Sequence, residues 1–263
     1  KALKPILENE NIKKIGQIKS TATQRISTTI QEFDRVLGGK EGYQGIVPGE
    51  VILLSGDPGI GKSTIMLQIA LNITGSGKKV LYVSGEESES QIKIRAERIV
   101  DDKTLLKQDL MVFSSTDIDQ AISIATSQKV DMLIIDSIQT VQSFDANGFP
   151  GSLPQLRYCM LKLVEFAKTS QVPVFSIGHV TKEGIVAGPM LLSHMVDCVL
   201  YLEGEQLTGT RVLRTLKNRF GDTNEVGIFI MEEKGLVEIS DVKDFFLGTN
   251  ESNVPGSCIT VVM

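Results

Sequence analysis

Residues 51–64 read VILLSGDPGIGKST, an apolar run, a glycine-rich turn and then Lys-Ser-Thr. From Gly56 to Ser63 the spacing is G-x-x-x-x-G-K-S, the pattern of a loop that cradles phosphate. Gly56, Gly59 and Gly61 let the backbone turn tightly, and Pro58 stiffens it. N–H groups at the start of the helix that follows then point at anionic oxygens, with the helix dipole behind them. Gly56, Asp57, Pro58, Gly59, Ile60, Gly61, Lys62, Ser63 and Thr64 are therefore the candidate phosphate-binding residues. Lys62 is placed to reach β- and γ-phosphates, and the Ser63 hydroxyl to bind a magnesium ion.

Four further groups could act on such a phosphate. Asp136 ends the apolar run DMLIID, where a second acid would hold the water shell of magnesium. In SGEES (84–88), Glu86 and Glu87 follow the next expected strand. A carboxylate there can orient and deprotonate a water, with Glu86 favoured and Glu87 second. His179 follows the expected strand 172–178 at the same sheet edge, where it could contact a γ-phosphate. In KNRFG (217–221), Lys217 and Arg219 alternate on one side of a strand end. Two cations aimed one way can clamp a phosphate. The sequence offers them no obvious anion of its own, so the nucleotide of a neighbouring subunit is the economical partner. His194 receives no role, and Arg95 reads as a solvated charge on a helix.

These residues need a scaffold. The chain has 263 residues, 41% of them hydrophobic, enough for one large α/β domain. A net charge of −5 gives no global positive field for nucleic acid, so any such contact must be local or assembled. No apolar run approaches the roughly 18 residues of a membrane span, and the start KALKPILENENIKK lacks a signal-peptide core. Cys159, Cys198 and Cys258 lie far apart with no C-x-x-C pair, which fits a reducing, cytoplasmic location.

Residues 1–24 read as a linker or arm. A helix is expected from Thr28 or Thr29 to Leu37, ended by Gly38-Gly39. Beyond the phosphate loop, strands are expected at 79–84, 110–114, 131–136 and 172–178, and helices at 88–100, 117–127 and 154–169. That alternation predicts a mostly parallel sheet with helices on both faces. From residue 195, MVDCVLYLEG, TRVLRTLKNRFG and EVGIFIMEEKG predict an antiparallel C-terminal extension. SCITVVM at the end reads as one more strand-like segment.

Taken together, FDRVLGG (33–39), VPGE (47–50), GDPGIGKST (56–64), YVSGEES (82–88), IRAER (94–98), IDSIQT (135–140), GHVTKEG (178–184) and KNRFG (217–221) resemble the RecA-type ATPases, and specifically the bacterial RadA (Sms) family of DNA repair and recombination. The resemblance covers residues 25–263 and implies a RecA-like P-loop core as one ATPase domain. It implies ATP and Mg2+ as ligands, and a homo-oligomer, a hexameric ring with ATP between subunits. Lys217 and Arg219 match positions that reach the neighbour's ATP. Segments 141–153 and 182–192 match loops that face DNA, with Arg157 and Lys182 the candidate phosphate contacts. The implied activity is a DNA-stimulated, helicase-like motor driving branch migration on single-stranded or branched DNA, beside a recombinase partner. The family's four-cysteine zinc finger and Lon-like C-terminal domain are not seen in these residues, and GGKEGYQGIVPG is longer than the family's tight turn. Two alternatives stay open: a RecA-fold ATPase acting as a clock-type switch without motor activity, and a non-hydrolysing scaffold that assembles on DNA.

Overall fold

The computed structural model describes residues 25–40, 42–100, 106, 109–179, 189–204 and 209–239. The expected arm (1–24), Lys182 and the run SCITVVM lie outside the described residues. Elements follow in the order α1 (Gln31–Leu37), β1 (Val51–Gly56), α2 (Lys62–Gly75), β2 (Val80–Ser84), α3 (Glu89–Ile99), β3 (Leu110–Ser114), α4 (Ile118–Gln128), β4 (Met132–Asp136), α5 (Leu153–Ser170), β5 (Val174–Ile177), α6 (Pro189–Leu192), β6 (Cys198–Gly204), β7 (Thr210–Asn218), β8 (Val226–Glu232) and β9 (Gly235–Glu238).

These strands form a nine-stranded sheet in the order β3-β2-β4-β5-β1-β6-β7-β8-β9. From β3 to β6 every pairing is parallel. Alternate strand residues face opposite sides. In β4, Met132 and Ile134 join the core that includes α2 and α3, while Leu133 and Ile135 join the core beneath α4 and α5. Coverage of both faces explains why these strands read as unbroken apolar runs. Among the described residues no helix is long and apolar enough to cross a membrane.

The antiparallel extension is present in β7, β8 and β9. It hangs on β6, the first of the three expected segments, which itself runs parallel to β1. The end of EVGIFIMEEKG turns back as a hairpin, so Gly235 opens β9 rather than closing the segment.

Helix α1 starts later than its sequence pattern suggests. Asp34 accepts hydrogen bonds from the Thr28 backbone (2.9 Å), the Thr28 hydroxyl (2.7 Å) and the Ser27 hydroxyl (2.6 Å). Thr29 is held at φ 63°. The Ser-Thr-Thr run is thus spent on a polar turn, which competes with helix for the same backbone groups.

The parallel strands bring two groups of polar residues to opposite edges. β1 starts beside Asp197, whose carboxylate accepts from Val51 N at 3.0 Å, and it ends in the glycine loop. Asp136 and Ser84 end β4 and β2 at the loop's edge. Asn218 at the end of β7 pairs with Cys198 at the start of β6, at the opposite edge.

Candidate active site

The loop at 56–61 is shaped for an anion. Gly59 sits at φ 76° with open space where a side chain would start, so glycine is required there by conformation rather than by crowding. Helix α2 opens at Lys62 with no side-chain cap and no acid in its first turn. Its first N–H groups are therefore left for an external acceptor. Lys62 is buried, and its ammonium donates to the carbonyls of Gly56 (2.7 Å) and Asp57 (2.8 Å). Burial pulls its pKa down to about 8, against the opposing pull of Asp136, Asp57 and Glu86. At neutral pH it remains a cation.

The acidic half comes from β2 and β4. Asp136 is buried at the end of β4, and its Oδ2 accepts from the Tyr82 hydroxyl at 2.6 Å. Burial first, and the Asp136 charge second, push the Tyr82 phenol well above its ordinary range, so it stays a donor. The Asp136–Ser137 peptide is cis. Ser137 Oγ donates to Glu86 Oε1 at 2.9 Å. His179 Nε2 stands 3.3 Å from the same oxygen, off the line of a hydrogen bond. Neither buried ring nitrogen of His179 has a hydrogen-bond partner among the described residues.

The paired glutamates are placed differently. Glu87 is salt-bridged to Arg95 from α3, and Glu86 is exposed beside Ser137 and His179. Arg95 is accordingly not the solvated charge that its helix position suggests. Neither glutamate caps α3, since Ser88 and Gln91 form a capping box.

Several supports lie too far away in the chain to be read from spacing. Arg211 of β7 donates to the Ile60 carbonyl at 3.0 Å. A side chain at Gly61 would meet Met231 Cε of β8 at 2.5 Å. Gln68 of α2 exchanges hydrogen bonds with Leu236 of β9, at 3.1 and 2.9 Å. The antiparallel extension thus braces the phosphate loop.

Lys217 and Arg219 are placed elsewhere. Val199 pairs with Lys217, and Leu202 with both Gly56 and Leu213. Through Val199, Lys217 is level with Leu53, three residues from Gly56, or about 10 Å along the strand at about 3.3 Å per residue; Arg219, bonded through Asp197 at the level of Val51, lies about 17 Å along it. An anion for them does exist within the chain. Arg219 Nη1 lies 3.1 Å from Asp197 Oδ1, and Lys168 Nζ lies 2.6 Å from Asp197 Oδ2. Lys217 Nζ donates to the carbonyls of Ser193 and Val196, each at 2.8 Å. Burial, and then Arg219 alongside, lower the Lys217 pKa.

The turn after these cations is anchored on α1. Asn218 donates to the Leu37 carbonyl at 2.9 Å, and Arg25 donates to the carbonyls of Gly38 (2.9 Å), Gly45 (2.8 Å) and Phe220. Gly38 and Gly221 pack backbone to backbone, so FDRVLGG and KNRFG meet in space. The structure therefore brings Gly56–Thr64, Glu86, Asp136 and His179 to one edge and sets Lys217 and Arg219 at the other. Arg157 is exposed near the start of α5.

This donor set suits a magnesium–nucleotide complex: an uncapped helix end, a buried cation, a hydroxyl at Ser63 and a carboxylate at Asp136. Magnesium binds through one or two protein oxygens plus phosphate and water.

Comparison with known proteins agrees with this geometry. The AAA domain family matches residues 19–184. The DNA repair protein RadA of Bacillus subtilis (strain 168) is 46% identical over 249 residues, 95% of this chain and 52% of that protein. The DNA repair protein RadA of Streptococcus pneumoniae is 45% identical over 250 residues, 95% of this chain and 57% of that protein. The chain spans about half the length of these curated relatives. The crystal structure of the RadB recombinase superposes with a TM-score of 0.60 at 24% identity, covering 81% of this chain and 99% of that one, and shares the RecA-like fold. The chain belongs to the AAA domain family, with a P-loop ATPase fold and curated relatives that are bacterial RadA proteins.

Proposed function

We propose that residues 25–263 form the ATPase unit of a DNA motor acting in recombination and repair in the cytoplasm, with ATP hydrolysed between the subunits of a hexameric ring. One observation carries this reading: a buried Lys62, Asp136 and an exposed Glu86 facing Ser137 and His179 share one sheet edge, while Lys217 and Arg219 occupy the opposite one. The DNA role draws on the names of the curated relatives.

The backbone of 56–64 and the Lys62 ammonium bind the phosphates of ATP. Ser63 and Asp136 are the residues that would hold Mg2+, which supplies charge neutralisation at the β- and γ-oxygens. Glu86 accepts a proton from the attacking water as that oxygen bonds to the γ-phosphorus. The bond from phosphorus to the bridging oxygen breaks, and ADP leaves with its electron pair. Ser137 fixes Glu86 Oε1 by its hydrogen bond, and Tyr82 fixes Asp136. His179, beside Glu86, registers loss of the γ-phosphate.

Lys217 and Arg219 lie too far from their own loop to serve it. In a ring they stabilise the charge that develops on a neighbour's ATP. Arg157 and Lys182 contact phosphates of single-stranded or branched DNA, and a recombinase supplies the substrate. The test is the rate of ATP turnover with and without single-stranded DNA. Strong stimulation is expected, and nucleotide binding without turnover would overturn the motor reading.

A further inference from the structure

The basic strand end is aimed by an irregularity in its strand. Thr215 of β7 donates to the Val36 carbonyl of α1 at 3.0 Å, on the side of the core that includes α2 and α3. Strand alternation would put Lys217 on that same side. Yet Val199 pairs with Lys217 and the next residue, Leu200, with Thr215, which leaves Leu216 as an extra residue. Lys217 turns instead to the carbonyls of Ser193 and Val196, and Val196 belongs to the core beneath α4 and α5. A bulge of this kind re-aims side chains.

Beyond the bulge, Arg219 follows the last residue of β7 and is tied to Asp197 twice. Its backbone N–H donates to the Asp197 carbonyl at 3.1 Å, and its Nη1 to Asp197 Oδ1 at 3.1 Å. Asp197 is tied just as firmly to Val51, the first residue of β1. Its N–H donates to the Val51 carbonyl at 3.0 Å, and its Oδ2 accepts from Val51 N at 3.0 Å. β1 is buried along its whole length, so Arg219 is referenced to an interior strand rather than to its own turn.

The charges argue for more than a backbone acceptor. A neutral side chain would satisfy Val51 N, whereas a carboxylate that is 3% exposed is costly to bury without cations. Lys168 takes Oδ2 at 2.6 Å, and Arg219 meets Oδ1 through one nitrogen while its side chain stays 54% exposed. A guanidinium carries five N–H donors, so this contact leaves others for a phosphate. Two cations on one carboxylate also leave net positive charge at the site.

We propose that Asp197 is a positioning residue for the shared ATP site: it holds Arg219 at a fixed reach from β1, ordered before it meets the phosphate bound by a neighbouring copy. This rests on the reading above, in which Arg219 serves that neighbour. A long side chain loses rotamer freedom on contact, and a residue that already holds it removes that cost from the reaction.

Asp197→Asn keeps an oxygen for Val51 N and removes the charge that grips Arg219. Turnover is expected to fall about 10²-fold, the scale of a small misplacement, while binding of a fluorescent ATP analogue by the variant's own loop is unchanged. Mixed equally with Lys62→Ala, with exchange verified by mass, Asp197→Asn is expected to recover about a quarter of the parent rate. Its intact loop then meets an intact Asp197–Arg219 pair from the other variant. A residue that merely supports β1 would weaken its own loop, and mixing would not repair that. Full turnover by Asp197→Asn, weakened analogue binding, or no recovery on mixing each overturns the positioning role. Asp197→Glu, which keeps the charge but displaces it, is read in the same three ways if the asparagine variant unfolds. A mixture of Lys62→Ala with Arg219→Ala separates the two levels. Recovery there and none with Asp197→Asn overturns the role of Asp197 alone, and recovery in neither overturns the shared site as well.

Discussion

The phosphate loop and the basic strand end both carry cations, and they are made differently. Lys62 lies within one contiguous turn, is buried, and shares its surroundings with Asp136 and Glu86 at the same sheet edge. Lys217 and Arg219 stand at the other edge, half exposed, tied to carbonyls at 193 and 196 and to the buried Asp197. The residues of the first region meet within the chain. The second is a pair of cations that the chain orients but cannot bring to its own loop. The proposed division of labour between subunits rests on this difference in register.

Substitutions at the two regions should separate them. Lys62→Ala removes the ammonium held at the Gly56 and Asp57 carbonyls; turnover in a phosphate-release assay and binding of a fluorescent ATP analogue are both expected to fall to background. Arg219→Ala should cut turnover by about 10³-fold while nucleotide binding, followed by a fluorescent ATP analogue, stays nearly intact. Equal loss of binding in both variants would erase the distinction.

The supports under β1 give smaller effects. Glu50 is buried, accepts from Val47 N at 2.9 Å, and has its pKa raised by burial to about 7. Its folded value lies above the ordinary 4.5, so between about pH 4.5 and 7 the folded chain keeps a proton that the unfolded chain has released. Stability falls as pH rises through that window. Glu50→Gln should therefore be more stable than the parent above pH 7, by up to about 3 kcal/mol, with no gain below pH 4.5; urea unfolding across pH reads this directly. Asp197→Ala leaves Val51 N unsatisfied and frees Lys168 and Arg219, at a cost of about 1–3 kcal/mol in the same unfolding measurement. Tyr82→Phe, which removes one donor to Asp136, should cost about 1 kcal/mol and leave the basic strand end undisturbed.

Contiguous chemistry was legible from the residues, and distant chemistry was not. The loop 56–64 and the alternating strands and helices could be read because spacing along the chain mirrors spacing in the fold, and Asp136 because it ends an unbroken apolar run. The choice between Glu86 and Glu87 needed Arg95, whose helix position suggested only solvent. Asp197 escaped notice because it serves Arg219 and Lys168 across long sequence gaps. Arg211, Met231 and Leu236, which brace the loop, come from strands whose pattern speaks of burial and says nothing of what they cover. The late start of α1 is a local failure of another kind. Its Ser-Thr-Thr run looked like a helix start, yet Asp34 drew those donors into a turn.

Mixing Lys62→Ala and Arg219→Ala subunits, under conditions where exchange is verified by mass, tests the division most directly. Each variant alone is expected to be nearly inactive. If one copy grips the triphosphate and the next completes its site, equal mixing restores turnover to about a quarter of the parent rate through interfaces that pair two intact halves. Exchange without any recovery of turnover would contradict that account.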